Sequence, residues 1–326
     1  MTPESVERLT DGQRSEVLGL VNTATRVDEV APLSEQVLLA VRDGDAASTS
    51  PASTTTSRHL LAYAGTQLAG YAHLEQGVDG EVATAEVVVD PSYRRQGVGT
   101  VLIHALEGAI EDATAPQATS LRLWSHGDLA GARAFAIRGD YSIVRELWQM
   151  RRSLHDVTSL PAVSLPEGFG TRHFVVGRDE EAWLRVNARA FVDHPEQGRM
   201  TRYDLDRRIA EPWFDAKGFI LIEDMRGLTP VLAASHWTKV VPAEEQQTRA
   251  TEGEVYVVGV DPAYQGLGLG RTVTVLGLAH LREKGVTEAM LYVDADSRAA
   301  VATYSRLDFA RSAVDIMYSR IVHTAV

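Results

Sequence analysis

Cysteine is absent from the chain, and with it go disulfides, thiolate nucleophiles and cysteine-held metal sites. Positive charge is scarce: 32 Lys and Arg face 44 Asp and Glu, for a formal net charge of -12. That balance argues against nonspecific attraction to nucleic-acid phosphates or anionic membranes, so neither is an expected partner. No apolar run approaches the roughly 18 residues of a membrane span, and the polar start MTPESVERLTDGQRSE lacks the charged-then-apolar pattern of a secretion signal. The expected location is the cytoplasm. The histidines include no HExxH pair, the spacing that sets two zinc ligands on one helix face, and no metal is expected. Apolar residues, in contrast, make up 44% of the 326 positions, enough to build two cores rather than one.

Strands and helices alternate along the chain. Helices are expected over 11–24, opened by Asp11, and 34–42, opened by Ser34. Residues 43–59 are rich in small polar side chains and read as a loop. HLLAYA and LAGYAHLE flank Gly65-Thr66-Gln67 as a hairpin, and AEVVVD supplies the next strand. A helix over about 97–112, a strand LRLW, a helix over about 128–138 and a strand ending near Met150 follow. Residues 152–170 have a linker's Pro, Ser and Gly content, after which the order restarts.

The restart is a duplication. Asp90, Pro91, Tyr93, Gly97 and Gly99 match Asp261, Pro262, Tyr264, Gly268 and Gly270, each 171 positions later, and RGDY matches RLDF at an offset of 168. In both copies an apolar strand runs into a glycine-rich turn and then a helix. Such a turn offers free backbone N–H groups and the positive end of the helix dipole, which suits a pyrophosphate. A nucleoside triphosphate loop needs Gly-Lys-Ser/Thr, which is absent, and the glycines at 266, 268 and 270 do not form GxGxxG.

The pattern (Q/R)xxGx(G/A) fits, as Gln265-Gly266-Leu267-Gly268-Leu269-Gly270 and as Arg94-Arg95-Gln96-Gly97-Val98-Gly99, each after a V-D-P-x-Y strand end. It resembles the acyl-coenzyme A motif of the GNAT N-acetyltransferase superfamily. The resemblance implies an α/β fold with a mixed sheet, two tandem acyl-CoA N-acyltransferase domains, and acetyl-CoA as co-substrate. The expected domains are an N-terminal one over 1–151, a linker over 152–170 and a catalytic C-terminal one over 171–326. APLSEQVL, HPEQG, WFD, HWTKV, GEVYVVGVDP and LYVDADSRAAVATY further resemble segments of the mycothiol synthase family of tandem acetyltransferases. That family acetylates the cysteinyl amine of Cys-GlcN-Ins to complete mycothiol.

By this resemblance Glu254 is the expected base and Tyr304 the expected acid for the departing coenzyme thiolate. Strand alternation is expected to put Glu254, Tyr256 and Val258 on one face. Outside the family pattern, Glu254 would read as a solvated strand residue and Tyr304 as a ring packed on the sheet. The expected coenzyme residues are Val258, Gly259 and Val260 on the strand edge, with a backbone N–H near Val258 as oxyanion donor. The turn adds Gln265, Gly266, Leu267, Gly268, Leu269, Gly270 and Arg271. The helix after LYVDAD adds Ser297, Arg298, Ala299, Ala300, Val301 and Ala302. In the first half the matching positions are Val87, Val88 and Val89 with Arg95, Gln96, Gly97, Val98, Gly99 and Thr100. Acceptor contacts carried over from the family are Glu35, Glu196, Lys239, Glu254 and Tyr292, which implies an acceptor touched by both halves of a monomer.

The repeat supplies an internal control. At constant offsets Glu254 corresponds to Ala83 and Tyr304 to Ala136, so the first half is expected to be non-catalytic whether or not it binds acetyl-CoA, with Glu86 structural. Ser297 stands where the superfamily has asparagine, and Asp308 where it has glycine, a residue more tolerant of positive φ. A tandem acetyltransferase for another amine, such as an aminoglycoside or a peptide N-terminus, and a non-catalytic acetyl-CoA sensor are the alternative readings.

Overall fold

The computed structural model describes residues 2–43, 55–77, 82–111, 118–155, 160–192, 197–240 and 252–323. They form two compact units, Met1–Leu147 with Ala313–Val326, and Trp148–Ser312. The composition-based boundaries at 151 and 171 follow chain order. In space, the chain from Trp148 already belongs to the second unit, and the C-terminal segment from Ala313 belongs to the first.

In the first unit, β1 (Glu4–Val6), β2 (Thr55–Ala64), β3 (Gln67–Gly77), β4 (Val82–Val89) and β5 (Ala118–Ser125) lie in chain order. The end of β12 (Ala310–His323) pairs antiparallel with β5. Helix α3 (Val98–Glu111) covers one face, burying Leu102, Leu106 and Ile110 against Leu60, Ala72 and Leu121, and α4 (Ala130–Arg138) adds Ala136. Helices α1 (Asp11–Asp28) and α2 (Glu35–Asp43) cover the other face with Val17, Leu20 and Val41 against Leu61, Tyr71 and Val88. Each such side chain contributes about 1.5–3 kcal/mol on burial. The cap of α1 is Thr10 rather than Asp11: its hydroxyl accepts from Gln13 N while Gln13 Oε1 accepts from Thr10 N. Strand β2 takes up the end of the stretch read as a loop. The rest of that stretch, 44–54, lies outside the described residues.

In the second unit the order is the end of β6 (Ser142–Ser153), β11 (Glu288–Asp294), β10 (Glu252–Val260), β9 (Val231–Val240), β8 (Phe219–Asp224) and β7 (Phe169–His173). Helix α7 (Leu269–Glu283) packs Val275, Leu278 and Leu281 on Val255 and Leu291. Helices α5 (Glu180–Ala190) and α6 (Arg202–Ile209) bring Trp183 and Leu205 to the opposite face, against Phe219, Trp237 and Val257. Helix α8 is Arg298–Ser305. Among the described residues no helix is long and apolar enough to cross a membrane, and no group of three or more acidic or histidine side chains could hold a metal ion.

Candidate functional site

The two glycine turns share a backbone shape. Gly266 and Gly268 have φ of 82° and 75°, and their counterparts Arg95 and Gly97 have 64° and 88°. A Cβ added at Gly266 or Gly268 would meet nothing within 4 Å, so a side chain there would fill the space in front of the turn. Gly268 caps α7 without any side-chain bond, so the first amides of α7, at Leu269, Gly270 and Arg271, have no helical partner. These residues fit a pyrophosphate. Below each turn an aspartate fixes the approach: Asp261 accepts from Ala263 N at 2.9 Å, and Asp90 from Ser92 N at 2.8 Å. The first turn is tied down by Arg94, which makes a bidentate pair with Asp28 at 2.7 and 2.6 Å, and the second by Tyr264, whose hydroxyl bonds to Asp224 and whose ring lies edge-on to Phe169.

The strand before the second turn is irregular. β10 pairs with β9 from Gly253 to Val260, but the register shifts between Val255 and Val257, so Tyr256 is a bulge residue. This overturns the expected alternation. Val255 and Val258 both pack on the α7 side, whereas Tyr256 and Val257 both face the aromatic cluster under α5 and α6. Glu254 therefore shares a side with Tyr256, and Val258 does not. The parallel ladder with β11 covers only Glu252–Glu254 and Glu288–Met290. Beyond Glu254 the two strands part, which leaves the β11-facing edge of Val258, Gly259 and Val260 without a ladder among the described residues.

The bulge also changes the correspondence between the halves. Strand β4 pairs with β3 without a shift, from Gly70↔Val89 to Gln76↔Ala83. Aligning the ladders at Glu86↔His73 and Val257↔Trp237 and stepping past Tyr256 brings Glu254↔Lys239 onto Thr84↔Glu75. The ladder counterpart of Glu254 is Thr84, not Ala83, because one inserted residue moves the offset by one.

Around Glu254, the Lys239 ammonium lies 4.9 Å from the Trp213 ring centre and 5.2 Å from that of Tyr256. The Tyr256 hydroxyl accepts from Arg208 Nε at 2.7 Å. Tyr292 is 42% exposed, and its hydroxyl accepts from Gln149 Nε2 at 3.1 Å. Tyr304, on α8, stacks edge-on to Phe309 with centroids 5.9 Å apart, and burial pushes its phenol up to about 12. Ser297 caps α8 without a side-chain bond; Arg298, Ala299, Ala300, Val301 and Ala302 form the helix that follows. Asp308 does adopt φ of 62°, as does its counterpart Asp140 at 57°. Glu35 begins α2 in the first unit, and Glu196 lies outside the described residues. Glu86 is buried, accepts from Ser34 N at 2.6 Å and lies 3.5 Å from His126 Nε2, whose Nδ1 is 3.0 Å from Asp315. Arg208, Gln149 and Arg151 were not singled out from the sequence. A lone Arg or Gln carries no local signal, and their partners are 48, 143 and 101 positions away.

The Acetyltransferase (GNAT) family model matches residues 32–139 and 188–309. A solved tandem GNAT protein from the clavulanic acid biosynthesis pathway superposes with a TM-score of 0.72, at 15% identity over 99% of this chain and 100% of that one. The GCN5-related N-acetyltransferase of Sphaerobacter thermophilus gives 0.68 at 21% identity over 100% and 98%. Both likenesses bear on fold. The mycothiol acetyltransferase of Thermomonospora curvata is 51% identical over 311 residues, 95% of this chain and 94% of the relative. That of Thermobispora bispora is 46% identical over 98% and 100%. With a GNAT match in each half and near-full-length identity of this order, the chain belongs to the mycothiol acetyltransferase family of tandem GNAT acetyltransferases.

Proposed function

We propose that the protein transfers the acetyl group of acetyl-CoA to the cysteinyl amine of Cys-GlcN-Ins, giving mycothiol and CoA, with the second unit catalytic. Acetyl-CoA supplies the activated acyl carbon. On this reading the amides of Leu269, Gly270 and Arg271 hold the pyrophosphate, and the open edge at Val258–Val260 pairs with the pantetheine arm as an added strand does. The carboxylate of Glu254 takes the proton of the acceptor amine, directly or through water. An α-amino group titrates near ~8, so the base carries a modest burden at neutral pH. The Val258 N–H faces the acyl oxygen, and Lys239 and Tyr292 contact the acceptor.

The raised pKa of Tyr304 refines its part. A phenol held at about 12 is protonated at neutral pH and donates a hydrogen bond to the departing sulfur. Complete transfer to a thiolate of ordinary pKa, ~8.5, is uphill, so hydrogen-bond stabilisation is the larger share of its role. The first unit has Thr84 and Ala136 in the two proton-handling positions and is read as non-catalytic. The protein is read as a cytoplasmic monomer without metal, nucleic-acid or membrane partners.

The observation that carries this reading is the bulge at Tyr256, which opens the strand pair immediately past Glu254. The test is incubation with acetyl-CoA and Cys-GlcN-Ins, following free thiol release and product mass, with an aminoglycoside and a peptide N-terminus in parallel. Thiol release with another amine but none with Cys-GlcN-Ins would assign a different acceptor. Coenzyme binding with no release for any amine would indicate a sensor.

A further inference from the structure

We propose that Glu86, His126 and Asp315 are positioning residues: they seat the first turn of α2 on the sheet of the first unit and so hold Glu35 in place for the acceptor. The inference rests on the proposed function, and on the family resemblance that makes Glu35 an acceptor contact.

Ser34 caps α2: its hydroxyl accepts from Val37 N at 3.4 Å and its carbonyl from Leu38 N at 3.0 Å. A helix start closed by a capping box has, in addition, a side chain three residues on that accepts from the backbone N–H of the cap. Gln13 does this for Thr10 on α1, and Asp204 does it for Thr201 on α6. On α2 that position is Val37, an apolar side chain in the core that has nothing to accept with. Glu86 stands in for it: from 52 positions away its carboxylate accepts from Ser34 N at 2.6 Å and from the Ser34 hydroxyl. Helices α1 and α6 are thus capped from within, whereas α2 is capped from β4, which ties its first turn, and Glu35 with it, to the sheet.

The carboxylate is itself held. His126 Nε2 lies 3.5 Å from the Glu86 oxygen that Ser34 N meets, and its Nδ1 lies 3.0 Å from Asp315 Oδ2, while Asp315 Oδ1 accepts from Gly127 N at 2.8 Å. An imidazolium with a proton on each nitrogen serves both carboxylates. The same corner grips the connection before α2 a second time, because a Cβ on Gly127, whose φ is 76°, would come within 2.7 Å of Val30 Cγ2. The fold does not require these charges. At the matching ladder position the second unit has Val257, packed with Trp183, Phe219 and Trp237, and buried ions are costly where an apolar side chain serves.

The decisive variant is Glu86→Met, which keeps the volume and removes the acceptor; Glu86→Gln keeps one oxygen for Ser34. Glu86→Met should raise KM for Cys-GlcN-Ins about tenfold, with kcat and KM for acetyl-CoA unchanged, and Glu86→Gln should lie close to the wild type. In a Glu35→Gln background Glu86→Met should add little, since it acts through that residue. An equal rise in both KM values, or the same rise in both backgrounds, overturns the positioning role. Exchange of the Ser34 amide proton, followed by NMR on protein labelled with nitrogen-15 serine, reads the contact without turnover and already in the wild type. That amide should exchange about 10²-fold more slowly than in an unstructured peptide, and should lose most of the protection in Glu86→Met. An unprotected wild-type amide, or protection that survives Glu86→Met, overturns the inference even where Cys-GlcN-Ins is acetylated briskly. A wild-type protein that leaves Cys-GlcN-Ins untouched while the protection behaves as expected removes the proposed acceptor and leaves the seat of α2 standing; the KM comparison then passes to the amine that is acetylated.

Discussion

Strand β10 carries one residue more than β4 between matching ladder positions, and the two units differ most in what surrounds that extra residue. In the first unit the β4 ladder with β5 runs from Val82↔Ser120 through Ala85↔Leu123 and Glu86↔Trp124. In the second, the equivalent ladder stops at Glu254↔Met290, two pairs sooner. Where the first unit has Thr84 opposite Glu75, the second has Glu254 opposite Lys239. Where the first buries Glu86 in an ion network with His126 and Asp315, the second has Val257 in an aromatic cluster. The glycine turns, in contrast, keep nearly the same dihedral angles in both. On the proposed function, holding a coenzyme and opening a sheet to reach its acyl end would be separable properties: one would reside in the turn whose dihedral angles both halves share, the other in the register shift of β10, which β4 lacks.

The sharpest break of this comparison removes the chemistry and spares the turn. Glu254→Gln should lower turnover at neutral pH by about 10²- to 10⁴-fold while acetyl-CoA affinity, measured calorimetrically, stays at the wild-type value. Unchanged turnover would take the base role away from Glu254. The converse graft, Thr84→Glu, should restore no activity to a Glu254→Gln protein, because β4 remains zipped to β5 and Ala136 supplies no hydroxyl. Next in size is deletion of Tyr256, which makes β10 as regular as β4. Glu254 keeps its side of the sheet, but the strands close past it, and a displacement of ~1 Å at a reacting centre costs about 10²-fold in rate. Wild-type kinetics in the deletion variant would show that the bulge is incidental.

A smaller effect separates the turns. Gly268→Val puts a β-branched side chain at φ 75° and should raise KM for acetyl-CoA by about 10- to 100-fold through strain of ~1–3 kcal/mol and a blocked approach. Gly97→Trp, at the matching position of the first unit, should leave turnover intact in a folded protein, as followed by circular dichroism alongside thiol release. Abolished turnover would show that the first turn takes part in catalysis.

Much of this was legible in the sequence because duplication and glycine geometry are local signals. The V-D-P-x-Y and glycine spacing repeats at a fixed offset, and positive φ at Gly266 and Gly268 is what glycine at those positions allows. The bulge was not legible: a constant offset holds on both sides of the turn, and nothing in GEVYVVGV marks Tyr256 as the residue that leaves the ladder. The face of Val258 and the counterpart of Glu254 were misread for that one reason. The exchange at the unit boundary was hidden for another. Composition marks the linker after Arg151, but pairing of β6 with β11 and of β12 with β5 is long-range and leaves no trace in local composition.

The last contrast is electrostatic and sets the two units against each other by pH. Burial alone would lower the pKa of His126, but hydrogen bonds and charges from Asp315 and Glu86 outweigh it and raise the value to about 10. His236, under α7 with Nδ1 3.0 Å from the Val273 carbonyl oxygen, is lowered by burial to about 4. An unfolded histidine titrates near ~6.5. Between there and about 10 the folded first unit binds the His126 proton that the unfolded chain has released, so its stability is full below neutrality and declines as pH rises through that window. Between about 4 and ~6.5 the unfolded chain binds a proton that folded His236 refuses, so the second unit loses stability as pH falls through that range. Thermal melts across pH should therefore show the first unit weakening on the alkaline side and the second on the acid side. His126→Gln should cost the first unit roughly 3–5 kcal/mol by stranding two buried carboxylates and flatten its alkaline slope; His236→Gln should flatten only the acid slope. An alkaline slope that survives His126→Gln would mean that the Glu86–His126–Asp315 network is not what holds the first sheet closed.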